Sequence, residues 1–201
     1  MSIDWIIPVL DRANDLKVLP RTGWLLAGVP APESVADHCF VTALLACFLA
    51  DAINADWAGQ GLTRPLDRAH LLRIALLHDL AESLLTDLPK RSTELLGRPA
   101  KHAAEGRALE LLFAQAPNAA EYTALWAEYA TEESPEARVV HDADKLEMIH
   151  QALRYEARGQ RNLEEFWQAA AWHYPASAAL YRRLGLHRIA PDGGGSNHET
   201  A

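Results

Sequence analysis

The segment from His78 to Pro89 reads H-D-L-A-E-S-L-L-T-D-L-P: an adjacent His-Asp pair, Glu82 three residues after the aspartate, and Asp87 five further on. On a helix turning roughly 100° per residue, His78, Asp79 and Glu82 fall at about 0°, 100° and 40°. An imidazole and two carboxylates then share one arc. A solvated helix face is the ordinary home of a His-Asp dipeptide, but here the flanks are apolar. Leu71, Leu72, Ile74, Ala75, Leu76 and Leu77 precede the pair, and Leu80, Ala81, Leu84 and Leu85 surround it. Burying unpaired charge in such a segment costs on the order of several kcal/mol or forces a change of protonation. A divalent cation resolves the conflict.

Such an ion needs partners from other elements. Ser34 followed by Asp37 predicts a capping box opening a central, buried helix over Val35 to Ile53, which places His38 in the first turn. A lone His there is ordinarily a hydrogen-bonded core residue, so it matters only if the His-Asp pair lies opposite. Asp67 is the expected N-cap of the helix carrying that pair. Ser134-Pro135 opens a long helix running to Gly159, which contains V-V-H-D-A-D-K-L-E-M-I. Asp142 and Asp144 lie about 200° apart on it, so at most one faces a shared site. The stripe of Val139, Ala143, Leu146, Ile149 and Leu153 favours Asp142, while Val140, Glu147 and Gln151 form a second face that also suits burial. His141 reads as a helix-surface residue.

The remaining elements are also helical by pattern. A first helix spans Asp4 to Leu16, with Pro8 in its first turn; others cover Ala100 to Ala116, Ala119 to Tyr129, a start at Asn162 with Glu165, and Ala176 to Leu184, stopped by Gly185. Pro20 to Pro32 reads as an ordered loop in which Arg21 and Trp24 stand out, with a surface ion pair and core packing as their plain alternatives. Lys90 and Arg91, close in sequence to Asp87, either help to hold an anion or form a solvated turn. There is no repeat, interdomain linker or convincing strand. The expected fold is all-α, one helical bundle over residues 1–189, followed by a disordered tail over 190–201.

Composition narrows the function classes. With 19 Lys plus Arg against 27 Asp plus Glu, the formal charge of the 201 residues is −8, which argues against a general nucleic-acid-binding surface. Cys39 and Cys47, eight residues apart on one helix, are too distant along the axis for a disulfide and read as reduced core residues. The start, M-S-I-D-W, lacks signal-peptide features, and no stretch nears about 18 uninterrupted apolar residues, so a cytoplasmic protein without a membrane partner is expected.

Taken in order, His38, His78-Asp79 and a late Asp resemble the metal-ligand pattern of the HD-domain metal-dependent phosphohydrolases. The likeness extends to R-T-G-W, E-S-V-A-D-H, H-D-L-A-E with T-D-L-P, and D-A-D-K-L-E-M, four blocks similar to the branch that contains the 5'-deoxynucleotidases, covering roughly Asp11 to Tyr155. The resemblance implies an HD-type helical bundle with one divalent metal on His38, His78, Asp79 and the Asp of D-K-L, which is Asp144. It also implies that Glu82 is the catalytic carboxylate, that Asp87 faces the sugar, and that Arg21 and Trp24 recognise phosphate and sugar. Thr22 and Gly23 separate Arg21 from Trp24 where some members join them, and Thr86 stands where some have Gly. A nucleotide substrate and a homodimer, with Trp167, Trp172 and Tyr174 as one source of apolar contact and core packing as their other role, complete the implied picture.

The chemistry is coherent on its own terms. Two imidazoles and two carboxylates suit Mn, Fe, Co, Ni or Zn better than Mg. The leading expectation is a phosphomonoesterase acting on deoxyribonucleoside 5'-monophosphates, or the same site acting on another phosphorylated metabolite. A two-iron oxygenase would need imidazoles beyond His102 and His141. A non-catalytic nucleotide sensor would have no need of Glu82.

Overall fold

The computed structural model describes residues 3–168 and 171–188. The expected disordered tail, 190–201, lies outside the described residues. The elements are α1 (Ile6–Asp15), α2 (Thr22–Leu26), α3 (Val35–Ala55), α4 (Arg68–Leu77), α5 (Glu82–Leu85), α6 (Lys90–Leu96), α7 (Arg98–Leu112), α8 (Ala119–Thr131), α9 (Pro135–Ala157), a 3₁₀ turn (Glu164–Trp167) and α10 (Pro175–Leu186). Among the described residues the sole β feature is an isolated bridge between Pro20 and Ser34, so the fold is all-α.

The main core is built where α3, α4 and α9 meet: Ala46, Leu49, Ala50 and Ile53 pack with Leu71, Ile74, Ala75, Val139, Val140, Ala143 and Leu146. Alanines on α3 let the three backbones approach closely. A second cluster joins Leu16, Val35, Leu80, Leu109, Phe113 and Trp126, and a third joins Trp24, Val29, Ile149, Tyr155, Leu163 and Trp167. Each of the three central helices has a polar start that fixes its register. Ser34 Oγ accepts from the Asp37 amide at 3.1 Å while Asp37 accepts from the Ser34 amide at 2.9 Å. Asp67 accepts from the amides of Ala69 and His70, and Ser134 from that of Ala137. These caps set where His38, His78 and Asp144 emerge.

Several expectations change. α3 is not buried all round: Phe40, Leu44 and Phe48 are 69%, 43% and 59% exposed, forming a stripe at i, i+4 and i+8. Its length and composition alone would suffice to cross a bilayer, yet its other face is the packed centre of the bundle. The Pro20 to Pro32 segment contains the short helix α2. The basic stretch after Pro89 is helical too, and Gly97 at φ 83° separates α6 from α7. The start expected at Asn162 yields only a 3₁₀ turn, and α10 runs through Gly185 to Leu186. Trp167 and Tyr174 are buried and Trp172 packs against two core clusters, so their role is internal.

The motif helix itself ends early. α4 stops at Leu77, and the next amides bond three residues back: Leu80 to the Leu77 carbonyl at 3.2 Å, Glu82 to Asp79 at 3.0 Å and Ser83 to Leu80 at 3.2 Å. With about three residues per turn, Glu82 comes to lie over Asp79 rather than midway between His78 and Asp79. α5 then ends at Thr86, whose φ of 72° and ψ of 162° belong to a region that essentially only glycine occupies comfortably. This bend turns Asp87 inward. Because the Thr86 side chain is exposed, T86G removes strain and little else. It should raise stability by about 1 kcal/mol, or roughly 2–4 °C in Tm, as read by thermal unfolding; an unchanged or lower Tm would remove the strain assignment.

Candidate metal centre

His38 from α3, His78 and Asp79 from the 3₁₀ turn after α4, and Asp144 from α9 converge on one point. His38 Nε2 lies 3.1 Å from Asp144 Oδ1 and 3.5 Å from Asp79 Oδ2, and His78 Nε2 lies 3.2 Å from Asp79 Oδ2. Yet neither Nε2 makes a hydrogen bond: both are buried, close to carboxylate oxygens and misaligned with them. Neighbouring ligands on one transition ion, with bonds of about 2.0–2.2 Å, stand roughly 3.0–3.5 Å apart. The donor set therefore has the spacing of a coordination shell.

The far sides of both rings are tied down. His78 Nδ1 donates to the Ala75 carbonyl at 2.7 Å, which leaves the Nε2 lone pair free in the neutral ring. His38 Nδ1 lies 2.6 Å from Glu147 Oε2, and Glu147 is 1% exposed. Carboxylate support behind a histidine ligand orients the ring and raises its basicity. Tyr129 donates to Asp144 Oδ2 at 3.1 Å and meets His78 edge-on. Sequence reasoning assigned Glu147 no role, though it lies one turn beyond Asp144 on the same helix face. Tyr129 gave no signal beyond its apolar spacing.

The electrostatics describe a site short of positive charge. Burial alone would depress His38, but Asp144 and Glu147 outweigh it and push its pKa up to about 10. Burial would raise Asp79 and Asp144, but the two histidines and Arg21 hold both well below the usual carboxylate range. Cys39 is also near His78 and Asp79, and burial, then Asp79 and Glu82, push its thiol up.

Beside these groups opens a cavity of about 730 Å³ lined by Arg21, Trp24, His78, Asp79, Glu82, Asp87 and Asp144. Glu82 is 4% exposed, its Oε2 has no hydrogen-bond partner, and burial followed by Asp79 pushes its carboxyl well up. Arg21 Nη1 reaches Asp79 Oδ2 at 3.4 Å and Asp87 Oδ1 at 3.5 Å, and Asp87 also accepts from the Thr22 amide. Asp87 thereby anchors the α2 segment to the motif. Trp24 is at once core and cavity wall: it stacks on Phe166 at 4.0 Å, meets Tyr155 edge-on, and donates to Glu33 at 2.9 Å. Lys90 and Arg91 reach the cavity as exposed residues of α6.

The structure separates the two late aspartates. Asp142, fully buried, faces away from the centre and accepts from His173 N and Nδ1 and from the Tyr174 amide at 3.0–3.2 Å. The apolar stripe located it correctly in the interior, but in a different part of it. His141, expected on the surface, is half-buried, stacks on Tyr129 at 4.1 Å and donates Nε2 to its carbonyl at 2.8 Å.

A family model described as an HD domain matches residues 13–177. The chain is 33% identical over 179 residues to 5'-deoxynucleotidase hdd1 of Schizosaccharomyces pombe, covering 85% of this chain and 83% of that one. It is 30% identical over 189 residues to the human 5'-deoxynucleotidase HDDC2, covering 91% and 86%. A conserved hypothetical protein from Pyrococcus furiosus superposes with a TM-score of 0.74 at 38% identity, covering 93% of this chain and 99% of that one. The PH0347 protein from Pyrococcus horikoshii does so with a TM-score of 0.74 at 36% identity, covering 92% and 99%.

The two aspartates should respond differently to removal. D144A should lose tightly bound metal after desalting, by elemental analysis, with little loss of stability. D142A should keep its metal but lose about 2–4 kcal/mol in urea unfolding, since it strands the amides and ring of His173. The reverse pattern would make Asp142 the ligand.

Proposed function

The chain belongs to the HD domain family, and from that premise we propose that it is a metal-dependent phosphomonoesterase releasing phosphate from deoxyribonucleoside 5'-monophosphates. The observation that carries this reading is the pair of buried, unpartnered imidazole nitrogens converging with two carboxylates beside Glu82 and Arg21. His38, His78, Asp79 and Asp144 would hold one divalent ion per chain, from the Mn, Fe, Co, Ni and Zn group. Such an ion supplies Lewis acidity, making water acidic near neutral pH and offsetting phosphoryl charge.

The side chains divide the rest. Glu82, kept basic by burial and by Asp79, takes a proton from the attacking water and returns it toward the leaving 5' oxygen. Arg21, placed by the contacts of Nη1 with Asp79 and Asp87, holds phosphoryl oxygens. Asp87 accepts from a sugar hydroxyl, and Trp24, held on the cavity wall by Tyr155 and Phe166, would crowd a 2' hydroxyl. The names of the two 5'-deoxynucleotidase relatives support that sugar preference. Against a two-iron oxygenase stand His141, engaged with Tyr129, and His102, edge-on to Trp126.

The test is phosphate release from paired deoxyribo- and ribo-5'-monophosphates by the metal-reconstituted protein, with a phosphodiester as control. Deoxyribonucleotides should be preferred and the diester left intact. E82A should keep its metal while kcat falls by about 10²–10⁴. Equal turnover of both sugars would remove the role of Trp24, and retained activity in E82A that of Glu82.

We also propose a homodimer, formed through the exposed stripe of Phe40, Leu44 and Phe48 on α3. Light scattering should give twice the chain mass for the wild type and the monomer mass for F48D. A monomeric wild type, or a dimeric F48D, would count against this face.

A further inference from the structure

Four residues of α7, Arg98, Lys101, His102 and Glu105, fall at i, i+3, i+4 and i+7 and line the cavity as one face. Arg98 is exposed and contributes to the long-range field that steers anions. Lys101 is different. Its side chain is 24% exposed and that of Glu105 12%, with Nζ 3.4 Å from Oε1.

Helix stability is a poor account of that pair. Exposed i,i+4 pairs contribute roughly 0.3–0.5 kcal/mol, and Lys preceding Glu is the weaker orientation. Burial opposes the Lys101 charge, yet Glu105 and then Asp79 and Glu82 raise its pKa, so the ammonium is felt at the candidate centre. Arg21 has the same acidic neighbours, Asp79 and Glu82, and one of its nitrogens, Nη1, is shared between Asp79 and Asp87, so it meets the phosphate with only part of its guanidinium. With Asp79 and Asp144 taken up by a metal, an entering phosphate monoester dianion would still face Glu82 and Asp87 on the cavity wall. A second cation with a flexible stem answers that repulsion.

We propose that Lys101 is a phosphate-binding residue, which Glu105 holds in the resting cavity and exchanges for a phosphoryl oxygen when substrate enters. The proposal rests on the phosphomonoesterase reading above. Lys101 moves from one anionic partner to another, with no bond made or broken. Glu105 acts through it as a positioning residue.

The experiment measures inorganic phosphate affinity by calorimetry, and KM and kcat with the preferred monophosphate, on metal-loaded wild type, K101M, K101R and E105Q. K101M should weaken phosphate binding and raise KM at least about tenfold, with kcat changed less than about threefold. K101R should recover most of the loss. E105Q, with the lysine released, should bind phosphate more tightly; if K101M fails to fold, unchanged or weaker binding by E105Q overturns the proposal. Phosphate affinity of folded K101M within twofold of wild type would likewise overturn it, leaving the phosphomonoesterase reading intact. A wild type that binds no phosphate would overturn both.

Discussion

Charge held out of water is the constraint on which the rest of the structure depends. His38 is fully buried, His78, Glu82 and Asp87 nearly so, and Asp79 and Asp144 lie against them within a bundle whose neighbouring side chains are leucine, alanine and valine. Protein interiors admit such groups only when each has a partner. Here much of the pairing is internal, through Arg21, Glu147, Tyr129 and the Ala75 carbonyl. Among these ionisable groups, what is left over is two imidazole nitrogens and one glutamate oxygen without hydrogen-bond partners, beside a cavity. The residual mismatch marks where a cation and an anionic substrate belong.

The scaffold keeps those groups from relaxing toward better pairs. Three capped helices bring His38, His78 and Asp144 from separate elements, and close packing around Ala46, Ala50 and Ala143 fixes their spacing. Behind the centre, Glu147 and the Ala75 carbonyl hold the ring orientations. In front of it, the 3₁₀ turn and the strained Thr86 place Glu82 and Asp87 at neighbouring points on the cavity wall. The bends that break regular helix around the motif are what bring His78, Asp79, Glu82 and Asp87 from one short segment to one cavity.

The distribution of cations follows from the same constraint. The chain as a whole is acidic, with a formal charge of −8, yet Arg21, Lys90, Arg91, Arg98, Lys101 and Lys145 all line the one cavity. These six of the 19 Lys and Arg side chains share the cavity wall with its carboxylates and offset their charge toward a small anion. Within the group, burial differs: Lys90, Arg91 and Arg98 are exposed, whereas Arg21 and Lys101 are largely enclosed and paired with carboxylates.

The amino-acid sequence by itself determined the helical class, the caps at Ser34, Asp67 and Ser134, the apolar setting of His78-Asp79, and the need for a cation. These follow from local periodicity and the cost of isolated charge, which any short window of sequence expresses. The order of motif blocks pointed to Asp144, against the apolar stripe that favoured Asp142. Only the tertiary structure separated the two in space, because both lie toward the interior of α9 and what differs is the neighbour: His38 for Asp144, His173 for Asp142. The same holds for Glu147 and Tyr129, whose partners are 109 and 15 residues away, and for Lys101, whose place on the cavity wall no local pattern expresses. Sequence spacing also missed the change from α to 3₁₀ winding after Leu77, since nothing in H-D-L-A-E forbids a continuous helix; packing of Leu80 and Ala81 into the second core cluster accompanies it. A pattern on one helix specifies which face is buried. Which chemistry that face meets is decided by the helix packed against it.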